Sequence, residues 1–458
     1  MKELTLSKIA GAVGGKIKQK HEHIKINGVA TDSRRSDLAG TLFAAVKGER
    51  FDGHDYMREA ILKGAACLMS EKNIETSHPV IYVNSTREAL KDLAAYYRSM
   101  FNIRVVAVTG SVGKTMTKDM AAQVLSTKYK TLKTDGNFNN EIGIPLTVFK
   151  LDDSYQAAVF ELGMNRPGEI CELSKIVKPA VCVITNIGDS HIENFEGGRE
   201  AILAAKSEIF EFMGDKGTAV LNGDDPLLRT VRLKNAKIKY FGTGEKNDYA
   251  ASGISANGLI GVSCLIGYGD KRFKVNIPLP GSHTVMNALA AAAAGDALGI
   301  PEAGVISGLE SARPARMRMD ILNAPNGITV INDVYNASPA SVMAGLDVLS
   351  GVGSRRVCVL GDMLELGERS AALHESMGEY AAGKKIDLII CAGERSKETY
   401  AGALKNLNGP GSAVYFDNQD SMLKNLKELT REGDTVLVKA SRAMGFEKTV
   451  EFLLNMEI

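Results

Sequence analysis

Residues 105–120, VVAVTGSVGKTMTKDM, decide the fold. An apolar, β-branched run enters a glycine-bearing loop, and Met116, Met120 and Val124 then recur every four residues. The order is strand, tight loop, helix. A phosphate cradle needs that arrangement: glycines let backbone N–H groups crowd around the oxygens, and the helix N-terminus adds partial positive charge. The loop pattern G-x-x-x-x-G-K-[ST] would place a glycine at Val108, whereas the first glycine here is Gly110, so the loop is shorter at its front. Gly110, Gly113, Lys114 and Thr115 keep the chemistry: the lysine for the β/γ-phosphates, the hydroxyl for magnesium. An ordinary β–α turn with an incidental lysine is the competing reading, and the complete strand–loop–helix context weighs against it.

Working outward, RVVAVTG (104–110), AAVFELG (157–163) and AVCVITNIG (180–188) are short runs, apolar on both faces, that alternate with helical segments. Strands of a parallel sheet covered by helices read this way. An alanine-rich helix, ALAAAAAGDALG (288–299), precedes SARPARMRMD (311–320), which reads as a linker. RRVCVLGD (355–362), KIDLIICAGE (385–394) and DTVLVKASRA (434–443) then repeat the α/β rhythm without a second Gly-Lys-Thr. Before the central loop, short strand-like runs carry the turn signals TDSRR (31–35), VKGERFDGHD (46–55) and KGAACLMSE (63–71). A polar helix, STREALKDLAAYYRSMF (85–101), leads into Arg104. Three α/β domains are expected, over residues 1–100, 101–312 and 313–458.

Charged residues make up 24% of the 458 and hydrophobic ones 45%, as in soluble globular proteins. Lys+Arg 55 against Asp+Glu 54 leaves a net charge of +1, which points to neither a nucleic-acid nor a membrane partner. The six cysteines are scattered and several lie inside apolar runs, so they read as buried thiols in a reducing compartment. The start, MKELTLSKIAGAVGG, lacks a signal-peptide core and no run reaches membrane-spanning length, which makes the cytoplasm the expected location.

In open α/β sheets ligands bind beyond the carboxyl ends of the strands. Glu161 ends one such strand, and Asn186, Asp189 and His191 follow another. A carboxylate and an imidazole there are able to bind magnesium, although imidazole is an unusual ligand for so hard an ion, and a plain surface-loop histidine is the alternative. In EAILAAKSEIF (200–210), Ile202, Leu203, Ile209 and Phe210 lie three or four positions from Lys206, which puts the lysine on the apolar face. Either it snorkels to water or it is a functional amine held inside.

These residues sit within TGSVGKT (109–115), GNFNNEIGIPLT (136–147), ELGMNRPGEI (161–170), TNIGDSHIENF (185–195), AAKSEIF (204–210), LPGSHTVMNALAA (279–291), NDVYNASPAS (332–341) and LGDMLELGE (360–368). In that order, and over essentially the whole chain, they resemble the Mur ligase family of peptidoglycan synthesis. The last two motifs, with TDSRR and FAAVKGERFDGHDY of the first domain, resemble the branch that extends UDP-MurNAc-tripeptide with D-alanyl-D-alanine. The resemblance implies a UDP-sugar-binding first domain, a central ATP-binding parallel sheet and a Rossmann-like C-terminal domain. It implies ATP-driven amide synthesis through an acyl phosphate, in a monomer.

By the same resemblance, Lys114 and Thr115 hold the ATP phosphates and one magnesium, which Glu161 shares, while His191 and a carbamylated Lys206 hold a second. Gly110, Ser111, Val112, Gly113 and Thr117 complete the phosphate loop. Asn287 matches the adenine-binding asparagine, and Arg316 and Asp333 a nucleotide-binding pair. Asn139 and Asn140 line the central cleft. Ser33, Arg34, Lys47, Gly48, Asp52, Gly53 and His54 fall where the UDP end is gripped, and Lys439, Ser441 and Arg442 in a C-terminal loop near the incoming dipeptide. Arg313–Arg318 is the candidate hinge. Two departures stand out: Thr284 where family members often have asparagine, and Ala440 where glycine is usual. A sibling ligase adding a diamino acid, a folylpolyglutamate-type ligase and a non-catalytic nucleotide switch are the competing functions.

Overall fold

The computed structural model describes residues 1–17, 21–48, 51–407 and 412–457. Glu49 and Arg50, inside the turn signal at 46–55, lie outside the described residues. The chain forms two compact units: Met1–Thr109, Lys128–Cys182 and Ser207–Thr218 make the first, and Gly110–Thr127, Val183–Lys206 and Ala219–Ile458 the second.

The first unit opens with a five-stranded sheet in the order Lys16–Ile17, Val80–Tyr82, Cys67–Ser70, Thr41–Ala44, Gly28–Ala30. Its pairs are parallel except at the Lys16–Ile17 edge. Phe43, Leu68 and Val80 bury one side against Ala60. Helix Thr86–Ser99 starts at Ser85, whose side chain accepts from the Glu88 N–H. It reads as polar, yet Lys91 and Arg98 are buried with Leu90, Leu93 and Tyr97. Both cations are answered: Lys91 by Glu172 at 2.7 Å, Arg98 by the carbonyls of Val177 and Phe101. Strands Arg104–Thr109, Ala157–Glu161 and Thr131–Lys133 run parallel with Ala157–Glu161 between the other two. Their residues are buried on both faces apart from the strand ends, as the continuous apolar runs require.

In the second unit, helix Lys114–Ser126 follows the loop after Thr109 and packs against helices His283–Ala297 and Glu302–Glu310. A Cβ at Gly308 would stand 2.5 Å from the Val124 Cα, and one at Gly295 2.5 Å from a Val124 methyl. The alanine-rich reading of residues 288–299 thereby gains a physical reason: only small side chains fit this close approach. Strands Tyr249–Ala256, Val262–Tyr268 and Lys271–Ile277 form an antiparallel meander that the α/β rhythm did not predict.

The C-terminal sheet runs Asp320–Asn323, Thr329–Asn332, Thr435–Lys439, Arg356–Gly361, Leu388–Ala392, Ala413–Phe416. All its pairs are parallel except the first. Separate apolar clusters cover its two faces. The fold class is therefore the expected α/β one. Five of the six cysteines are buried and all are free; burial pushes the Cys264 thiol up to about 11. Among the described residues no helix is long and apolar enough to cross a membrane.

Candidate active site

The loop that opened the sequence reading lies in the second unit and is built around two glycines. Gly110 has φ +147°, and a Cβ there would lie 1.9 Å from Thr185 Oγ1. Gly113, at the N-terminus of the helix, has φ +82°, and its Cβ would meet Asn287 Oδ1 at 2.5 Å. The shortened front needs no glycine at Val108, which is a fully buried strand residue. A second loop braces the first. Asn186 accepts from Val112 N–H through Oδ1 and donates through Nδ2 to the Val112 carbonyl, both at 3.0 Å. Its own carbonyl accepts from Ser111 N–H, and Thr185 Oγ1 donates to the Val112 carbonyl at 2.6 Å. Ser111 and Val112, expected to touch phosphate, thus turn their N–H groups to Asn186 and hold the loop's shape. Thr185 was missed by sequence reasoning and Asn186 was given no role; the signal was a polar Thr-Asn pair ending the strand in VITNIG.

Lys114 folds over the loop, its Nζ 2.8 Å from the Gly110 carbonyl and 3.1 Å from that of Ser111. Thr115 is buried, and its hydroxyl makes no hydrogen bond. Thr117 donates to Asn287 Oδ1 at 3.1 Å, and the Asn287 amide reaches Met116 Sδ. In this conformation Asn287, matched to an adenine contact, ties helix to helix.

Lys206 is 3% exposed on helix Gly198–Ser207, beside buried Ile202 and Ala205. It does not snorkel. Burial drives its ammonium well below the usual lysine range, and the charge of Lys114 pushes the same way. Among the described residues it pairs with no carboxylate. His191, at φ 62°, has Nδ1 2.5 Å from Glu365 Oε2, an ion-pair distance without hydrogen-bond alignment. Asp189, the carboxylate beside His191, is held by two guanidiniums instead: Arg199 at 2.6 Å and Arg369 at 3.1 Å. They keep its carboxyl below the ordinary range.

In the C-terminal sheet, Asp333 follows one strand and Lys439 ends its neighbour. Lys439 is therefore a strand residue and not a loop residue, and its Nζ is buried against Asp333. Ser441 is also buried and accepts from Leu364 N–H, while Arg442 pairs with Glu447. Arg316 is exposed. The expected hinge is held at its far end, where Arg318 stacks on Tyr335 at 3.9 Å and Met319 N–H bonds Asp333.

In the first unit Glu161 is buried. Its Oε1 accepts from Asn139 at 2.8 Å, and its Oε2 has no partner. Asn140 caps the turn into helix Gly143–Val148 through the N–H groups of Ile142 and Gly143. Ser33 donates to Glu59, and exposed Arg34 pairs with Asp32. Lys47 and Asp52 form a β-bridge, and Gly48 N–H bonds the Phe51 carbonyl. A Cβ at Gly53 would stand 2.8 Å from the Val46 backbone. Asp52 binds Lys72 at 2.8 Å and His54 Nδ1 at 2.5 Å, and these partners hold its carboxyl far below the ordinary range. His54 is buried, its Nε2 accepting from Glu71 N–H. Asp52 and His54 thus brace the loop from within.

Thr115 Oγ1 and Glu161 Oε2 are buried oxygens lacking protein partners, donors of the kind a hard divalent cation takes. They fit magnesium. Among the described residues no three His, Cys, Asp or Glu side chains gather into a ready metal site. The expected ligand set contains only two of those types; the rest are a hydroxyl and an amine.

Three family descriptions match the chain in order: the Mur ligase family catalytic domain at residues 25–98, the Mur ligase middle domain at 108–295, and the Mur ligase glutamate ligase domain at 317–442. The chain belongs to the Mur ligase family. Among Mur ligases it is 39% identical to the UDP-N-acetylmuramoyl-tripeptide–D-alanyl-D-alanine ligase of Bacillus subtilis (strain 168), over 98% of each chain. The crystal structure of MurF from Acinetobacter baumannii covers all of both chains at 33% identity and TM-score 0.92. MurF from Thermotoga maritima, solved in complex with ADP, covers 93% of this chain and 96% of its own at 30% identity and TM-score 0.81.

Both departures from the Mur ligase pattern have local explanations. Thr284 is buried and its hydroxyl donates to the Gly281 carbonyl at 2.7 Å. The Ala440 methyl is buried over Gly361, where an added Cβ would come within 2.7 Å of it, so the close approach falls on Gly361.

Proposed function

We infer that this Mur ligase joins D-alanyl-D-alanine to UDP-MurNAc-tripeptide at the expense of ATP, releasing ADP, phosphate and UDP-MurNAc-pentapeptide for peptidoglycan synthesis. The observation that carries this is the 39% identity along nearly its full length with a ligase bearing that name. The reading places the enzyme in the cytoplasm as a monomer serving cell shape and division. Domains at 1–100, 101–312 and 313–458 bind UDP-sugar, ATP and the second amine; the family matches at 25–98, 108–295 and 317–442 support this division.

The terminal carboxylate of the tripeptide attacks the γ-phosphate, ADP leaves, and an acyl phosphate forms. The amine of D-alanyl-D-alanine then attacks the acyl carbon, and phosphate departs as the amide forms. The physical demand is to bring two anions together. Lys114 meets part of it by exchanging the Gly110 and Ser111 carbonyls for phosphate oxygens, aided by the positive end of its helix. Magnesium, assigned by family likeness to Thr115 and Glu161 and to His191 and Lys206, supplies further charge neutralisation when bound. Lys206 serves it as a carbamate: the neutral amine adds carbon dioxide and loses a proton, becoming an anionic oxygen ligand. Its burial and depressed pKa support that role. Arg316 and Asp333 hold the nucleotide, residues 313–318 act as the hinge, and Ser33, Arg34, Lys47, Gly48, Asp52, Gly53 and His54 form the UDP grip. A non-catalytic switch would have no use for such a lysine.

Phosphate release measured with components omitted one at a time tests the reading. Turnover requires ATP, magnesium, UDP-MurNAc-tripeptide and D-alanyl-D-alanine together. A free diamino acid acting as the better acceptor, on a shorter UDP-muramoyl peptide, would instead make this a sibling ligase.

A further inference from the structure

The motif LGDMLELGE and the arginine just after it are left without a role by the reaction above. The structure brings this segment against the loop that carries His191. Glu365 Oε2 lies 2.5 Å from His191 Nδ1, and Arg369 donates to Asp189 Oδ1 at 3.1 Å, on the carboxylate that Arg199 also grips. Between these contacts the short turns Ile192–Asn194 and Gly367–Arg369 meet. A Cβ at Gly367 would stand 3.3 Å from that of Glu193, so the two turns approach closely there.

The backbone is set for this meeting from both sides. His191 (φ 62°) and Glu365 (φ 64°) are two of only six non-glycine residues with positive φ among the described residues. Left-handed backbone is uncommon for such residues and persists where the surroundings impose it. The approach to Glu365 is fixed from behind: Met363 N–H donates to buried His374 Nε2 at 2.9 Å, and Leu364 N–H to Ser441 Oγ at 2.9 Å. The Glu365 side chain itself is 45% exposed, so its ion pair adds little to stability. What it offers is direction.

We propose that Glu365 is the positioning carboxylate of His191: with the imidazole turned into line, Nδ1 donates to Oε2 and Nε2 is the nitrogen presented to a divalent cation, with Arg369 fixing the same loop through Asp189. A carboxylate on the far nitrogen sets the tautomer and orientation of a metal-ligating histidine and raises its basicity. The inference rests on the proposed function only in assigning a divalent cation to His191. It adds that the ligand set depends on a residue some 170 positions away, in the segment after strand Arg356–Gly361.

The test measures Mn2+ binding, by electron paramagnetic resonance, to the full-length protein with a non-hydrolysable ATP analogue, so that no turnover is needed. Glu365→Gln is expected to weaken Mn2+ binding about 10–100-fold, the range for loss of an outer-shell partner. Glu365→Asp, which keeps the charge, falls between the two. Both variants melt with wild type, and KM for D-alanyl-D-alanine stays within about twofold while the Mg2+ activation constant rises in step with the Mn2+ result. Wild-type Mn2+ affinity in Glu365→Gln overturns the positioning role alone. A wild type that binds no Mn2+ in that complex overturns the metal assignment and this inference with it.

Discussion

Lys439 Nζ lies 2.5 Å from Asp333 Oδ2, where two neighbouring parallel strands end at one sheet edge, and it also donates to the carbonyls of Asp333 and Asn336. The lysine is 2% exposed. A pair this buried is not a large source of stability, because desolvation offsets most of the attraction, but removing one partner strands the other. Lys439→Met is therefore expected to lower unfolding free energy by roughly 3–5 kcal/mol in urea titrations. Combining it with Asp333→Asn should recover a substantial part of that loss. A double variant no more stable than Lys439→Met would mean the two charges do not answer each other.

The cradle yields a sharper steric prediction. A methyl at Gly110 would overlap Thr185 Oγ1, in a backbone region that side chains rarely adopt. Gly110→Ala is expected to displace the loop and raise KM for ATP by at least about tenfold, equivalent to ~1.4 kcal/mol. Calorimetric titration with an ATP analogue checks this. Affinity equal to wild type would show that the loop does not shape the phosphate site.

Much of this arrangement was legible in the sequence, and the limits have physical causes. The strands ending at Thr109, Glu161 and Ile184 announce themselves because parallel strands buried on both faces read as unbroken apolar runs. Lys206 was readable from its apolar neighbours at helical spacing, and its burial excludes the snorkelling reading. The antiparallel strands were missed by following the α/β rhythm, although Val262–Tyr268 and Lys271–Ile277 carry the alternation of a strand with one solvated face. Glu365 and Arg369 were not legible: they act on residues some 170 to 180 positions away, and a long-range contact leaves no periodic trace.

Arg87 was invisible for the same reason. It donates to the Lys47 carbonyl at 2.8 Å and pairs with Glu141, joining the loop expected at the UDP end to the loop that carries Asn139 and Asn140. Both partners are about one-third exposed, with side chains at 36% and 34%, so the pair is worth no more than about 1 kcal/mol to stability. Arg87→Ala should melt close to wild type yet raise KM for UDP-MurNAc-tripeptide several-fold, with KM for ATP unchanged. Equal increases in both constants would point to a general loosening of the protein.

Lys206 carries the last prediction. Its folded pKa is depressed by burial, and Lys114 adds to the effect. Between that lowered value and the ordinary 10.5, the unfolded chain binds a proton that the folded chain has released. Stability therefore rises with pH across this window and is lowest below it. In buffer freed of carbon dioxide, Lys206→Met removes the penalty, so the variant should exceed wild type in stability at low pH by a margin that shrinks as pH rises toward 10.5. It should also be nearly inactive. Lys206→Arg should be no better, because a guanidinium forms no carbamate. Lys206→Ala opens the space a carboxylate ligand needs, and short carboxylic acids should restore part of its turnover. Restoration by acetate, with none by an equal concentration of chloride, separates a missing anionic oxygen from a missing positive charge. If the methionine variant kept wild-type turnover, Lys206 would be a buried lysine with no part in the reaction.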